Sequence, residues 1–313
     1  MKKGVFCGIL ALCCLALTGC TVFGQHVRLG LITDFVYNDA DSYEIGDAAL
    51  SDEVRRLEIQ WLDGGVEVVA GDNASIAERA NRELSEDMRM RWRLEDGTLR
   101  IMYCNSGKWN INGLEKTLKV TLPQTTLERL SVTTVSGDVC MSGMRAESVE
   151  CATTSGDVTA SFDEASELNV RTISGKVDVT GSADAARVNA DSTSGTVKLS
   201  MGKVDVLDAV TISGKLDISA TSIHQMDAGT TSGNVTLRLA EKCDECTIRS
   251  ISGGVMLALP EDSGFTLNFG TVSGALESGI AMCSRDGVQI CGDGEQKFEI
   301  HTTSGKLTIQ PET

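Results

Sequence analysis

The stretch Thr172-Ile-Ser-Gly-Lys-Val-Asp-Val179 returns almost unchanged at Thr211-Ile-Ser-Gly-Lys-Leu-Asp-Ile218. The pattern around its Ser-Gly pair occurs nine times, at intervals of 19 to 21 residues except for a last interval of 31. In every copy the residue before the serine is β-branched, the one before that carries a hydroxyl, and the third residue after the serine is aliphatic. The pairs are Ser136 and Gly137, Ser155 and Gly156, Ser174 and Gly175, Ser194 and Gly195, Ser213 and Gly214, Ser232 and Gly233, Ser252 and Gly253, Ser273 and Gly274, and Ser304 and Gly305.

This repeat predicts the fold. Apolar and β-branched residues at every second position are typical of strands with one buried face. We expect the glycine to supply a backbone conformation closed to residues with a Cβ, and so to mark a sharp corner. One copy cannot bury its apolar side alone, so the copies should stack into an all-β solenoid, about nine coils of 19–21 residues. Hydroxyl ladders should join the corners. A sandwich or propeller of hairpins fits less well, because propeller blades need about 40–45 residues.

Other patterns flank the repeat. Residues 53–125 alternate and turn at Asp96-Gly97, which predicts an N-terminal antiparallel β cap over the solenoid end. A Leu-Pro dipeptide precedes both Ser136 and Ser273, with its proline 13 residues before the serine. We therefore expect the chain to enter the following strand in the same way at both places. The long interval predicts an inserted hairpin near 279–296. The solenoid, residues 126–313, should end in an open edge after Ile309 that allows self-association.

The first 52 residues predict export from the cytoplasm and attachment to a membrane. Lys2 and Lys3 precede an apolar run that is shorter than the roughly 20 residues of a membrane span, so residues 1–19 are typical of a signal peptide. The run ends in Leu17-Thr-Gly-Cys20, which resembles a bacterial lipobox. That resemblance implies lipidation of Cys20 and anchoring to the bacterial cell membrane outside the cytoplasm. Residues 20–52 are acidic and predict a tether.

Composition and side-chain chemistry argue against catalysis. The net charge of −16 disfavours a nucleic-acid partner. The Cys243-Asp-Glu-Cys246 motif lacks a second ligand pair, so no metal or cofactor is expected. The outward carboxylates of the repeat, among them Asp138, mix with lysines, and no histidine recurs beside the serines, so we predict no catalytic residue and no enzyme.

Two further groups of residues call for an interpretation. Cys283 and Cys291 flank the predicted hairpin and are the best candidates for a disulfide outside the cytoplasm. Arg89, Arg91 and Arg93 alternate with apolar residues. They are either the solvated face of a cap strand or a contact for an anionic envelope polymer or lipid headgroup.

Several motifs together resemble the putative-adhesin family of bacterial β-solenoid envelope proteins, a domain of unknown function. They are Gly64-Gly-Val-Glu-Val68, Val120-Thr-Leu-Pro123 and the Ser-Gly series, and the resemblance covers residues 54–310. It implies a right-handed parallel β-solenoid and a role in surface attachment. We therefore expect a non-enzymatic envelope lipoprotein that presents its β-solenoid to a protein or glycan. An envelope-stress sensor or regulatory partner is the alternative, and a carbohydrate-active β-helix enzyme is the less favoured one.

Overall fold

The computed structural model describes residues 35–108, 113–181 and 184–312, together with the backbone of residues 21–22 and 25–26. The predicted signal peptide and the predicted lipidation residue Cys20 lie outside the described residues. Regular structure in the described residues is almost entirely β-strand, and its two helical elements are single 3-10 turns, Ala40–Ser42 and Glu86–Met88. No described helix is long and apolar enough to span a membrane.

The strands before the repeat are short and carry alternating burial. In Arg56–Trp61, for example, every second side chain is fully buried. The strands of this region are β1 (Thr21–Val22), β2 (Gln25–His26), β3 (Glu44–Ile45), β4 (Ala48–Ala49), β5 (Arg56–Trp61), β6 (Gly64–Ala70), β7 (Ser75–Ala80), β8 (Arg91–Glu95), β9 (Thr98–Met102) and β10 (Lys116–Leu122).

The strands of the repeat end at the Ser-Gly corners, and the longest of them bend at the looser corner. Such a bend falls between Met141 and Met144, where the register shifts. The strands are β11 (Leu127–Thr134), β12 (Asp138–Thr153), β13 (Val158–Thr172), β14 (Val177–Gly181), β15 (Ala185–Ser192), β16 (Val197–Thr211), β17 (Leu216–Thr230), β18 (Val235–Leu239), β19 (Cys243–Ser250), β20 (Val255–Leu259), β21 (Phe265–Thr271), β22 (Leu276–Ser278), β23 (Cys283–Arg285), β24 (Val288–Cys291), β25 (Gln296–Thr302) and β26 (Leu307–Pro311).

Each copy contributes one strand segment to each of two facing sheets. Sheet A holds the segments that lead into the Ser-Gly corner, and sheet B holds those that leave it. Neighbouring copies pair parallel and in register, so that Thr172 lies beside Ser192 and Ser192 beside Thr211. We call one such level of both sheets a rung. These pairings confirm the predicted all-β parallel solenoid, whereas the right-handed sense and the number of coils stay predictions.

The core lies between the two sheets. The third residue after each serine points inward and stacks on its counterpart in the next rung, as Val158 does on Val177 and Leu216 on Val235. These four side chains are at most 1 % exposed, whereas the corresponding Leu276 of the terminal rung is half-buried. Burying one valine or leucine contributes about 1.5–3 kcal/mol, so the aliphatic columns hold the stack together.

Residues 53–125 extend the parallel stack before they cap it. β5 pairs parallel with β11 and β9, and β6 pairs parallel with β12 and β10. Antiparallel strands follow only outside these rungs, where β8 covers β9, β7 covers β10, and the two-residue strands β3 and β4 lie beyond them. The antiparallel cap is therefore smaller than predicted, because the buried side chains of β5, β6, β9 and β10 continue the columns of the repeat.

Residues 35–52 are folded against this end, which corrects the predicted tether over that range. Phe35 is buried and meets the ring of Tyr103 edge to face, with the ring centroids 6.4 Å apart. The Tyr37 hydroxyl donates to the carbonyl of Cys104 (3.0 Å). The acidic residues of the segment point outward, so its composition concealed the aromatic contacts that hold it.

The last two copies stack in the reverse of their chain order. β25 lies between β19 and β21, and β26 lies between β20 and β22. The copy with Ser304 therefore sits between the copies with Ser252 and Ser273. The prediction of an open edge after Ile309 is wrong for this reason, because Ile309 lies inside the stack and the terminal rung is formed by β21 and β22. The hairpin β23–β24 occupies the predicted insertion and folds back onto Phe265–Leu267.

Both Leu-Pro dipeptides mark places where the chain passes over one rung. After Pro123 the chain runs from β10 to β11, and the rung of β5 and β6 lies between them. After Pro260 it runs from β20 to β21, and the rung of β25 and β26 lies between them. Proline has no N–H for the strand ladder, so each strand ends there and the chain is free to reach the next rung but one.

Candidate functional site along the Ser-Gly corner

The corner glycines allow neighbouring rungs to approach very closely. A Cβ built on Gly175, Gly195 or Gly214 would lie 1.6–1.8 Å from the carbonyl oxygen of the preceding corner glycine. None of the three has a φ in the left-handed region. The predicted reason for the glycine is therefore wrong, since the backbone conformation is open to other residues and the close inter-rung contact is what excludes a Cβ.

A buried hydroxyl two residues before each serine fastens the corner. Thr211 Oγ1 accepts from the N–H of Gly214 (3.0 Å) and donates to the carbonyl of Gly195 in the preceding rung (3.4 Å). The same two bonds recur in the neighbouring rungs. The predicted ladder thus exists, but it runs mainly through glycine backbone. Direct hydroxyl–hydroxyl bonds are found near its two ends, between Thr134 and Thr153 (2.8 Å) and between Thr302 and Thr271 (3.1 Å).

The nine serines are all exposed at the outer edge of the corner. Ser194 Oγ donates to the carbonyl of Ile173 (3.3 Å), and Ser252 Oγ donates to the carbonyl of Thr231 (3.2 Å), each in the preceding rung. A hydroxyl proton engaged in this way serves the stacking of rungs, as predicted, and leaves the oxygen free to accept a bond from outside.

The residues immediately before the serines form a second row along the same edge. Backbone bonds set its order at the end of the stack, since the N–H of Thr303 donates to the carbonyl of Ile251 (3.2 Å) and the N–H of Val272 donates to that of Thr303 (3.3 Å). In this order aliphatic residues and threonines alternate strictly, although in chain order the alternation breaks at the last two copies. The row is Val135, Thr154, Ile173, Thr193, Ile212, Thr231, Ile251, Thr303 and Val272.

We call this row and the nine serines the corner strip. None of its side chains is charged, whereas 23 % of the chain's residues are. Two members, Ile251 and Val272, are among the most exposed large hydrophobic side chains described, at 43 % and 83 %. Because rungs repeat at the strand spacing, aliphatic members recur about every 9.6 Å along the edge. The sequence shows this alternation over the first seven copies, and the stacking order extends it to all nine.

Sheet A carries a ladder of ion pairs on its outer side. Arg171 pairs with Asp191 (3.5 Å) in the next rung, and Asp227 pairs with Arg249 (3.0 Å). The pKa of Asp191 is raised to about 6, mainly by burial; Arg171 opposes the shift and the nearby Asp208 adds to it. The charges of this sheet are largely paired within the chain, so they offer a partner less than the corner strip does.

The outer side of sheet B uses carboxylates to cap backbone groups. Asp138 Oδ1 accepts from the N–H of Asp157 (2.8 Å), and Asp157 Oδ1 accepts from the N–H of Lys176 (2.7 Å). Both carboxylates are exposed. The signal that sequence reasoning missed is the amide at the same position of a later copy, Asn234, whose Oδ1 accepts from the N–H of Gly254 (2.9 Å).

The predicted arginine row does not form a free basic surface. Arg91 is buried and donates to the carbonyl of Glu86 (3.0 Å). Arg93 lies over the ring of Tyr43, 5.4 Å from its centroid, and Arg89 lies 3.7 Å from a carboxylate of β7. A contact with an anionic polymer would require these groups to leave their partners. Of the three, Arg89 is exposed as a solvated face requires, whereas Arg91 is buried and Arg93 is partly covered by Tyr43, which lies just before β3.

A buried ion pair lies behind this row. Lys116 Nζ is 2.6 Å from a carboxylate oxygen of Glu78 and donates to the carbonyl of Met88 (2.8 Å). It also lies 4.9 Å from the ring centroid of Trp61 and 4.4 Å from that of Tyr103. Burial lowers the pKa of Lys116, and the attraction of Glu78 opposes that shift. These contacts close the N-terminal end of the core around one fully buried charge.

The described cysteines are all unbonded thiols. The disulfide predicted between Cys283 and Cys291 is not formed. Cys283 lies opposite Ile290, so the adjacent Cys291 points to the other side of the hairpin, where its thiol donates to the carbonyl of Ser263 (3.2 Å). Cys243 and Cys246 are buried in the core. Among the described residues no three His, Cys, Asp or Glu side chains are grouped to hold a metal.

A charged groove of about 420 Å³ lies on the loose-corner side of the later rungs. His224 Nδ1 and Lys242 Nζ each lie 2.8 Å from a carboxylate oxygen of Asp244. Lys297 pairs with Glu245 (3.0 Å). The polar groups of the groove are therefore engaged with one another.

The Toastrack DUF4097 family profile matches residues 54–257 and 221–310. Solved structures to which the chain is similar include a "putative adhesin" from Parabacteroides merdae ATCC 43184 (11 % identity, TM-score 0.47, covering 90 % of this chain and 100 % of that one). Another, from Bacteroides fragilis NCTC 9343, has 13 % identity and a TM-score of 0.42 and covers 86 % of this chain and 96 % of that one. No curated protein matches. Because the profile spans most of its length, this chain belongs to the Toastrack DUF4097 family.

Proposed function

We propose that this protein is a non-enzymatic, adhesin-like module of the cell envelope, held outside the cytoplasm by a lipid on Cys20, and that it binds its partner along the corner strip. The corner strip is the observation that supports this proposal. It is a continuous and uncharged edge of a strongly acidic chain, with all nine serines exposed and the residues before them half-buried to exposed. Depletion of charge at the centre and a polar surround are typical of protein interfaces.

The chemistry of the strip favours a protein partner over a glycan. Its aliphatic members offer methyl groups, and its serines and threonines offer small hydroxyls. Sugar rings commonly stack on aromatic side chains, and the strip contains none. A partner with apolar side chains spaced to match every second rung would bury the aliphatic members and leave the threonines to hydrogen bond.

The test is a binding experiment with matched surface variants. The chain from residue 20, with Cys20→Ser so that no lipid is attached, is immobilised and exposed to a whole-envelope extract. The strip variant carries Ile173→Asp, Ile212→Asp and Ile251→Asp. The control variant carries Thr159→Asp, Thr180→Asp and Gln225→Asp, which add the same charge at exposed strand positions outside the strip. Circular dichroism checks that both variants are folded.

We expect one saturable protein partner that binds the wild type and the control but not the strip variant. If that partner is a single integral membrane protein, the regulatory role is favoured over general adhesion. Equal capture by both variants would place binding elsewhere and refute the strip. Absence of any saturable partner would refute the binding function itself.

A further inference from the structure

We propose that the terminal rung of the solenoid, formed by β21 and β22, pairs with the same rung of a second copy of this chain, giving a closed tail-to-tail dimer. This inference shares Val272 with the corner strip but does not depend on the partner that the strip binds. It follows from three features of the terminal rung, which are its unpaired backbone, its lack of charge and its contrast with the opposite end.

The backbone of the terminal rung is only partly covered. β21 pairs with β25 along its whole length on the inner side. On its outer side β24 covers Phe265–Leu267, and within the described residues Asn268–Thr271 have no strand beside them. β22 pairs with β26 alone. An exposed strand edge with free N–H and C=O groups is a template for pairing with another strand.

This edge has few of the features that keep strand edges apart, since only its second strand, β22, is short and only one charge lies on it. Residues 265–282 contain one charged residue, Glu277, and its carboxylate is paired with Lys306. Apolar side chains at this end are incompletely covered, with Phe269 and Leu276 half-buried and Val272 83 % exposed. Proteins usually protect such an edge with lysines, prolines or short strands. A nearly neutral end on a chain of net charge −16 is also the surface on which two copies repel each other least.

The opposite end is charged, which determines the kind of assembly. β7 and β8 cover the first parallel rung, and β3 and β4 pair with only two residues of each. The rest of that edge carries Glu78, Arg79, Arg93 and Glu95, and such charges oppose pairing between strand edges, so a head-to-tail chain of rods is disfavoured. Tail-to-tail pairing uses the same edge twice about a two-fold axis, so the assembly stops at two copies.

The geometry of the end is compatible with such an axis. A strand that pairs with its own two-fold mate runs antiparallel to it, so Asn268–Thr271 of the two copies would form a short antiparallel ladder. The hairpin β23–β24 adds a layer over Phe265–Leu267, the first half of β21, and leaves the second half uncovered. Under a two-fold axis the hairpin of each copy faces the Ser273-Gly274 corner of the other copy, and the half-buried apolar side chains of the two terminal rungs meet.

The experiment measures association of the chain from residue 20 with Cys20→Ser by sedimentation equilibrium across a wide range of concentrations. We expect a monomer–dimer equilibrium. The end variant carries Val272→Lys and Ser278→Lys, two exposed residues of the terminal rung. It should weaken association roughly a hundredfold, because it places unpaired charges against an apolar interface. The control carries Ile251→Lys and Ser232→Lys at exposed inner-rung positions and should associate like the wild type.

Hydrogen exchange on the unmodified chain gives a second readout that does not rely on the variants. Amides of Asn268–Thr271 and Leu276–Ser278 should gain protection as the protein concentration rises. A monomer at every concentration would overturn the proposal. So would a dimer that the end variant leaves unchanged, protection that appears on other strands, or growth into larger assemblies.

Discussion

Gly253 and Gly254 are neighbours in the chain but differ sharply in the space around them. A Cβ on Gly253 would lie 1.6 Å from the carbonyl oxygen of Gly233 and 2.5 Å from its carbon. A Cβ on Gly254 would have its nearest neighbour, the carbonyl oxygen of Lys306, at 3.5 Å, which is ordinary contact. Neither glycine has a φ in the left-handed region. Gly253→Ala and Gly254→Ala therefore isolate the effect of rung spacing.

The magnitude follows from the distance that the rungs must move. A Cβ needs about 3.0 Å to an oxygen, so Gly253→Ala must push the neighbouring rungs at least 1.4 Å further from each other at the corner. Overpacking of this kind costs about 1–3 kcal/mol. The shift also breaks bonds such as the one from the N–H of Ser252 to the carbonyl of Thr231 (3.0 Å), at about 1 kcal/mol each. We expect a loss of about 3–5 kcal/mol for Gly253→Ala and a change within about 1 kcal/mol for Gly254→Ala.

The assay is equilibrium unfolding in urea, followed by far-ultraviolet circular dichroism, with the midpoint and slope fitted for both variants. The Gly253→Ala midpoint should fall well below that of the wild type, and the Gly254→Ala midpoint should stay close to it or rise slightly. Equal midpoints for the two variants would refute the close inter-rung contact as the reason for the glycine. The glycine would then be explained by backbone freedom after all.

Three further predictions concern buried ionisable groups. Because the folded chain binds a proton at Asp191 more tightly than the unfolded chain does, with a pKa of about 6 against 3.8, wild-type stability gains from this group as the pH falls through 6. Asp191→Asn should be more stable than the wild type above pH 6, by up to about 3 kcal/mol, and the advantage should vanish toward pH 4 in urea titrations at several pH values. Lys116→Met should lower the unfolding free energy by about 3–5 kcal/mol, because the buried carboxylate of Glu78 then loses its buried cation. The double variant Lys116→Met with Glu78→Gln should recover most of that loss. In the Cys20→Ser chain a thiol reagent should label Cys140 and Cys283 quickly and the five buried cysteines only after unfolding.

Each of these outcomes has a clear opposite. If the stability difference between Asp191→Asn and the wild type does not change with pH, the Asp191 carboxyl is not protonated more readily in the folded chain than in the unfolded chain. Asp178→Asn removes the same charge from the outer side of sheet B and is the control for net charge. A double variant as unstable as Lys116→Met alone would mean that packing rather than charge dominates there. A labelling count short of seven thiols in denaturant would indicate a disulfide.

The solenoid could be predicted from the sequence because its signal is local and repeated. Every copy shows the hydroxyl, the β-branched residue, the glycine and the aliphatic residue at fixed spacing, and a shared pattern at that period allows few other folds. The glycine itself was identified for the wrong reason. Its role depends on the distance to Gly233 or its counterparts in the preceding rung, and a distance between rungs has no trace in the sequence of a single copy.

What the sequence could not reveal depends on pairings between distant segments. The interval before Ser304 indicates an insertion, but the sequence carries no signal that the last copy pairs with β19 and β20. The arginine row indicates a strand correctly, yet its outer face is partly covered by residues 35–52, whose acidic composition outweighed Phe35 and Tyr37 in the prediction. The corner strip was partly hidden for the first reason, since the sequence shows its alternation over seven copies and only the stacking order extends it to all nine.

The reversed stacking of the last two copies bears on how this chain is made. In a simple solenoid the newest repeat adds to the end, and a truncated chain is merely a shorter rod that frays at its terminus. Here the last copy fills a gap inside the stack, and until it is in place β21 and β22 lack the rung on which they pack. Contacts of long sequence separation of this kind slow folding. A chain cut before Gln296 would lose an interior layer rather than an end, so the stacking of the terminal rung depends on strands that follow it in the chain.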